Sequence, residues 1–446
     1  MKDVKRQDLL DRMKNLHRNV EQGRQGRSAE SAILRTPSRK QAGFKDLPEY
    51  KQVMIQKRAS EQLNMVNPFY RAHEAASGAT AQIGGKRYDN FASYDYLGLN
   101  QHPNVIAAAE KALQQFGVSA SASRVVAGER TIHNELEQAI AEVYETEAAV
   151  CFVSGYLTNV ASISCLMGPR DLVIHDEFIH NSALSGIKMS GATRRFFKHN
   201  DMADLERILR SLSGDFDKIL VISEGIYSMD GDIADLPGLL KLKQDFGFWL
   251  MMDEAHSLGV LGATGAGAGE HFGVVRGDVD LWMGTLSKSL ASCGGYVAGD
   301  AALIDYLRFT MPGFVYSVGL SPVNAAAALA ALRLMETQPE RVTRLRERAE
   351  FFRRKCREHG VNTGLSAESA VVPCITGASD KALRLAQALG AEGINVQPIF
   401  YPAVEEGRAR LRFFITADHT EEQLSHTAAL IGRELAALAA PEESRT

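Results

Sequence analysis

The chain has 446 residues, 45% of them hydrophobic and 23% charged, with a formal net charge of −4. The length is enough for one large domain plus a smaller one. The near-neutral balance excludes nucleic acid as the main partner, and no apolar run reaches the roughly 18–20 residues a membrane span needs.

Residues 1–44 stand apart, with eleven Lys/Arg against five Asp/Glu, a local charge of +6. Leu9, Leu10, Met13, Leu16 and Val20 follow helical spacing, so 3–22 is predicted as a thin amphipathic helix with a linker behind it. This segment reads as a solvated tail or as a docking segment for an acidic partner. Its acidic residues argue against a mitochondrial presequence, and the charged "MKDVKRQDLL" against a secretory signal. Residues 45–90 are predicted as an N-terminal arm or a segment of the smaller domain. A large domain is predicted over 91–334, where helical stretches separate short apolar runs at 148–153, 171–175, 218–223, 248–253 and 279–284. That alternation is the mark of an α/β domain with a mostly parallel sheet. After Pro322 a long alanine-rich helix begins, and 335–446 alternates helices with strands such as "RLRFFIT", a smaller C-terminal α+β domain. Five cysteines (Cys151, Cys165, Cys293, Cys356, Cys374) lack C-x-x-C spacing, and several lie in apolar runs. They read as core residues of a reducing, cytoplasmic compartment, with no metal site among them.

In open α/β sheets ligands bind beyond the carboxyl ends of the strands, and there the unusual residues collect. Ser154-Gly155-Tyr156 follows the first run and opens a helix, whose free N–H groups suit an anion. "EGIYSMDGD" follows the third run and brings Ser228 and acidic groups to the same rim. Asp253-Glu254-Ala255-His256 ends the fourth; a buried carboxylate there needs a partner, either a protonated ring nitrogen or an arginine. Thr285 and Lys288 follow "DLWMG", the lysine alone among small uncharged residues. Lysine shifts its pKa readily when buried and forms Schiff bases. An anion cradle, a carboxylate and a lysine together match pyridoxal phosphate, which needs a phosphate site, a partner for its ring nitrogen and an amine for its aldehyde.

The ordered motifs "SYDYLGL", "HNSALSG", "EGIYSMDGD", "DEAHSLGVLGATG", "GTLSKSLASCGGY" and "RLRFFITADHT", spread over about residues 67–436, resemble the α-oxoamine synthases. This pyridoxal-phosphate group includes serine palmitoyltransferase and 8-amino-7-oxononanoate synthase. The resemblance implies the fold-type I transferase architecture with its seven-stranded-type sheet. It gives Lys288 the cofactor aldehyde, Asp253 the ring nitrogen and His256 a place near the ring hydroxyl. His180 is placed on one face of the ring and Ala255 on the other. Ser154, Gly155, Tyr156, Ser228 and Thr285 become phosphate or ring contacts, and Arg412 the binder of a substrate carboxylate. Ser317 in "VYSVGLSP" is similar to a residue that family dimers lend to the neighbouring phosphate, implying a homodimer with the site at its interface.

Tyr94 stands where several members have asparagine. With "MPGFVYSVG", it resembles the serine palmitoyltransferase branch and the polyketide-associated synthases, which implies serine or alanine ahead of glycine. The implied reaction condenses a small amino acid with an acyl thioester, carried on CoA or an acyl carrier protein, with loss of CO2. Two other readings stay open: a different fold-type I enzyme such as an aminotransferase or aldolase-like lyase, and a non-catalytic partner subunit, which would ordinarily lack Lys288.

Overall fold

A computed structural model describes residues 43–54, 67–212, 216–401, 404 and 407–439. The helix predicted over 3–22 and its linker lie outside the described residues. The chain divides into units of residues 1–70 and 71–446. The described part of the first includes an exposed 3-10 turn, Phe44–Asp46; the second carries the sheets.

In chain order its strands are β1 (Thr80–Ile83), β2 (Lys86–Asn90), β3 (Ala148–Phe152), β4 (Leu172–Asp176), β5 (Thr193–Phe197), β6 (Ile219–Glu224) and β7 (Trp249–Asp253). They continue with β8 (Leu281–Thr285), β9 (Gly295–Gly299), β10 (Val371–Gly377), β11 (Ile394–Asn395), β12 (Gln397–Ile399) and β13 (Ala409–Phe414). Seven of them form the main sheet in the order β3-β9-β8-β7-β6-β4-β5. All are parallel except β9, which runs antiparallel to both β3 and β8. Side chains alternate across this sheet. Leu250, Met252 and Trp282 join the core on one face, while Met251, Leu281 and Met283 join the core on the other. Both faces are covered, so these strands read as unbroken apolar runs, and each fully buried large apolar side chain contributes about 1.5–3 kcal/mol.

The five runs predicted as strands are β3, β4, β6, β7 and β8, with ends shifted by one or two residues. Two strands of the sheet were not among them. In β5, Arg194, Arg195 and Phe196 are exposed on the sheet edge, so its pattern is that of a surface segment. β9, "GYVAG", follows β8 through the loop 286–294 as a hairpin, with Thr285 opposite Gly295, where helix-linked parallel strands are the general pattern.

A second sheet, β10-β13-β12, is antiparallel. Its core gathers Phe91, Phe352, Leu411, Phe413 and Leu424, with Phe91 stacked on Phe352 at 5.7 Å between ring centroids. Alternation along β13 sends Leu411 and Phe413 into that core. Arg410, Arg412 and Phe414 take the opposite face and meet residues of the main-sheet loops. A third, small sheet is β1-β2-β11. All five cysteines are unpaired, three of them buried. Among the described residues no helix is long and apolar enough to cross a membrane.

Candidate active site

The carboxyl ends of β3, β6, β7 and β8 lead into Ser154, Glu224, Asp253 and Thr285. Ser154 caps the helix Gly155–Leu166, its hydroxyl accepting from Leu157 N–H at 3.5 Å. The first-turn N–H groups of that helix have no carbonyl of their own helix to meet. Gly155 lies so close to β8 that a Cβ there would stand 2.8 Å from Thr285 Oγ1. Thr285 Oγ1 is held in turn by Ser287 Oγ at 2.7 Å and donates to Gly294 O at 3.0 Å. Hydroxyls, amide hydrogens and a bare glycine backbone thus meet in one small cradle.

Asp253 is buried at the end of β7. Its Oδ2 accepts from Asn159 Nδ2 at 2.8 Å and its Oδ1 from Ala255 N–H at 3.0 Å. Among the described residues no arginine pairs with it. Lys288 Nζ stands 5.7 Å from the Tyr94 ring centroid. Desolvation pulls its pKa down to about 8, against the attraction of Asp253 and Glu224 and with some help from Arg412. The amine therefore sheds its proton above pH about 8, well below the range of an exposed lysine, as a nucleophile and base requires.

Two histidines flank these groups. His180 caps the helix Asn181–Ser190: its Nδ1 accepts from Ser182 N–H at 3.3 Å and lies 2.7 Å from Ser182 Oγ. With Nδ1 accepting, the ring proton sits on Nε2. Desolvation lowers the His180 pKa, and Lys288 and Arg412 add to that while Asp253 opposes it. His256 is buried with Nδ1 2.7 Å from Tyr96 Oη. Burial, then Lys288, Arg412 and His180, hold it well below the usual imidazole range, hence neutral.

The two arginines of "RLR" differ. Arg410 Nη1 pairs with Asp230 Oδ1 at 2.6 Å. Arg412 lies over Phe414, its guanidinium carbon 4.7 Å from the ring centroid, and donates from Nη1 to Ser228 O at 2.8 Å. Its Nε is buried without a hydrogen-bond partner, and among the described residues no carboxylate pairs with it. Tyr94 packs edge-on against Phe414 at 4.6 Å between centroids. The fold thus brings Lys288, Asp253, His180, His256, Tyr94 and Arg412 together. Tyr156 is exposed, its hydroxyl 2.9 Å from Ser185 Oγ. Ser317 lies in a small cleft with Arg124, Cys151 and Phe152.

The class I and II aminotransferase model matches residues 87–431. The 8-amino-7-oxononanoate synthase of Symbiobacterium thermophilum is 42% identical over 79% of this chain and 90% of its own length. The Bacillus subtilis 8-amino-7-oxononanoate synthase 1 is 37% identical over 79% and 89%. The chain is an α-oxoamine synthase of the class I and II aminotransferase family. The synthase also superposes on a serine palmitoyltransferase variant from S. paucimobilis, solved with a pyridoxal-phosphate–myriocin aldimine. That match has a TM-score of 0.84 and 30% identity, and it covers 87% of this chain and 98% of the other.

The family depends on pyridoxal phosphate, and the residues present fit that group. Gly155 admits no side chain beside Thr285, so backbone N–H and hydroxyl groups line that corner, and the buried Asp253 carboxylate keeps accepting capacity beyond its two donors. A cavity of about 790 Å³ at the other end of the sheet, lined by Trp249, Asp280 and Tyr306, is remote from all of these groups. Three neighbours of the site were given no role of their own in the sequence reading: Asn159, Ser182 and Glu224. Glu224 carried a readable signal, since it ends the apolar run "KILVIS" as Asp253 ends "FWLMM".

Proposed function

We propose that the synthase condenses a small amino acid, serine or alanine ahead of glycine, with an acyl thioester to give an α-amino ketone, CO2 and free thiol. One carbon–carbon bond forms between the amino-acid α-carbon and the acyl carbonyl as the carbonyl–sulfur bond breaks, the thiolate takes up a proton from solvent, and the carboxylate departs as CO2. The observation that carries this reading is Arg412, a guanidinium with a buried donor and, among the described residues, no acidic partner, close enough to Lys288 to depress its pKa. A carboxylate-bearing substrate satisfies it.

Bound pyridoxal phosphate supplies an electron sink for the substrate α-carbon. Asp253 would serve the ring nitrogen, and Gly155 and Thr285 would hold the phosphate together with Tyr156 and Ser228. His180 and Ala255 would border the ring faces, and His256 would serve the ring hydroxyl. Lys288 Nζ, neutral above pH about 8, takes the α-proton and returns it. Neutral His180, with its proton on Nε2, donates to the thioester carbonyl. In a homodimer, Ser317 reaches the neighbouring subunit's phosphate. The donor is carried on an acyl carrier protein in preference to CoA.

Incubating the holoenzyme with a panel of amino acids and acyl thioesters, with mass spectrometry of the products, tests the reading. CO2, free thiol and an amino ketone support it. Turnover that needs a keto acid as acceptor identifies an aminotransferase instead.

A further inference from the structure

Glu224 ends β6 directly opposite Asp253 at the end of β7 and is almost wholly buried, at 3% exposure. Its Oε1 accepts the backbone N–H of His180 at 2.6 Å, across 44 positions of sequence. From His180 the contacts run on: Nδ1 to Ser182 Oγ at 2.7 Å, Ser182 Oγ from Asn159 Nδ2 at 2.9 Å, and the same Asn159 nitrogen to Asp253 Oδ2 at 2.8 Å. The chain of contacts therefore begins and ends on two neighbouring strand ends of one sheet. Gly186 makes it possible. A Cβ at that position would lie 2.9 Å from Asn159 O, so only glycine lets the helix Asn181–Ser190 settle this close to the helix Gly155–Leu166.

We infer that Glu224 is a positioning residue, which fixes the His180 ring relative to the Asp253 carboxylate by accepting the His180 backbone N–H. The inference rests on the proposed roles of those two residues. The charged and titratable groups that face Glu224 are Asp253 on β7, Asp176 on β4, Lys288 after β8 and His180. Burial, then the nearby Asp253 carboxylate, holds its carboxyl well above the usual range, against Lys288 and the His180 N–H. Glu224 thus resists ionisation beside Asp253, which has two donors of its own. A neutral acceptor on a side chain of the same length does the same work, and that separates this role from a charged one.

The test compares wild-type, E224A, E224Q and E224D holoenzymes by the visible circular dichroism of the cofactor, the pH midpoint of its visible absorbance, and the split between kcat and KM. E224A removes the acceptor; it should weaken the dichroism and lower kcat about tenfold or more, with KM less affected. E224Q should restore both and keep the wild-type pH midpoint. E224D, with its acceptor drawn back by one methylene, should fall between them, and it serves with E224Q if E224A does not fold. A midpoint in E224Q lowered by about one unit or more would show that a negative charge had been removed from beside Lys288, and overturns the neutral role. E224A with wild-type dichroism and kcat overturns positioning altogether. Failure of the underlying roles is distinguishable: H180A and D253N holoenzymes would then keep the wild-type cofactor spectrum and kcat.

Discussion

Asn159 Nδ2 donates to Asp253 Oδ2 at 2.8 Å, joining a helix and a strand end 94 residues apart. Both groups are buried, so the bond is made in a setting where a lost partner is costly. Asn159→Ala should destabilise the protein by about 1–3 kcal/mol and weaken cofactor retention. Thermal melts with and without pyridoxal phosphate, and dialysis against buffer, measure the two effects. Unchanged retention would show that Ala255 N–H alone suffices to hold the Asp253 carboxylate.

Lys288 should be the residue that borohydride labels with the cofactor, as peptide mapping can show. Lys288→Ala should still bind cofactor yet lose turnover. Its pKa of about 8 sets the sign of the pH effect: below that pH the ammonium is unreactive, above it the amine is free. In the apoprotein, reductive methylation of Lys288 should accordingly rise through pH about 8, well before exposed lysines near 10.4. A rise together with the exposed lysines would contradict its desolvation.

Arg412→Ala should raise the amino-acid concentration that half-saturates the spectral change about ten- to hundredfold, the loss of one charge-assisted pair of about 1.5–3 kcal/mol. Arg410→Ala should act differently. It strands the Asp230 carboxylate, so its first effect falls on the melting temperature.

The phenol of Tyr94 offers one donor where an asparagine amide offers two, and its ring lies edge-on to Phe414 and 5.7 Å from the Lys288 amine. Serine or alanine should therefore shift the cofactor spectrum at lower concentration than glycine does. Saturation by glycine first would remove the substrate preference and leave the family assignment untouched.

Acyl carrier proteins are generally acidic, so the +6 segment of residues 1–44 should speed their encounter. That advantage should fade with salt, because exposed charges are screened within about 8 Å at physiological ionic strength. Turnover with acyl-CoA and the matching carrier-bound donor, at low and high salt and with residues 1–44 present or deleted, decides it. Equal use of both donors removes the carrier preference, and a preference that survives deletion places it elsewhere.

The parallel strands were legible in the sequence because burial on both faces leaves unbroken apolar runs, and Asp253 and Lys288 were legible because each interrupts such material. β5 was not, since an edge strand bearing Arg194 and Arg195 has the polarity of a loop. Asn159 and Ser182 were illegible for another reason. Each is an ordinary polar residue of a helix, and its meaning comes from a partner on a different element. Arg410 and Arg412 share a motif and a face of β13; only the placement of Asp230 shows which of them is already paired.

The loop that carries Lys288 joins two adjacent antiparallel strands, and it is tied across itself by Leu286 N–H to Gly294 O at 3.0 Å, Ser292 N–H to Leu286 O at 2.9 Å and Ala291 N–H to Lys288 O at 3.0 Å. Its backbone is anchored on both sides within the same rigid sheet. Lys288 is then a pivot with a stationary base. In the proposed reaction, the amine's travel between cofactor and proton then belongs to four methylenes swinging on an α-carbon that the loop's own hydrogen bonds hold.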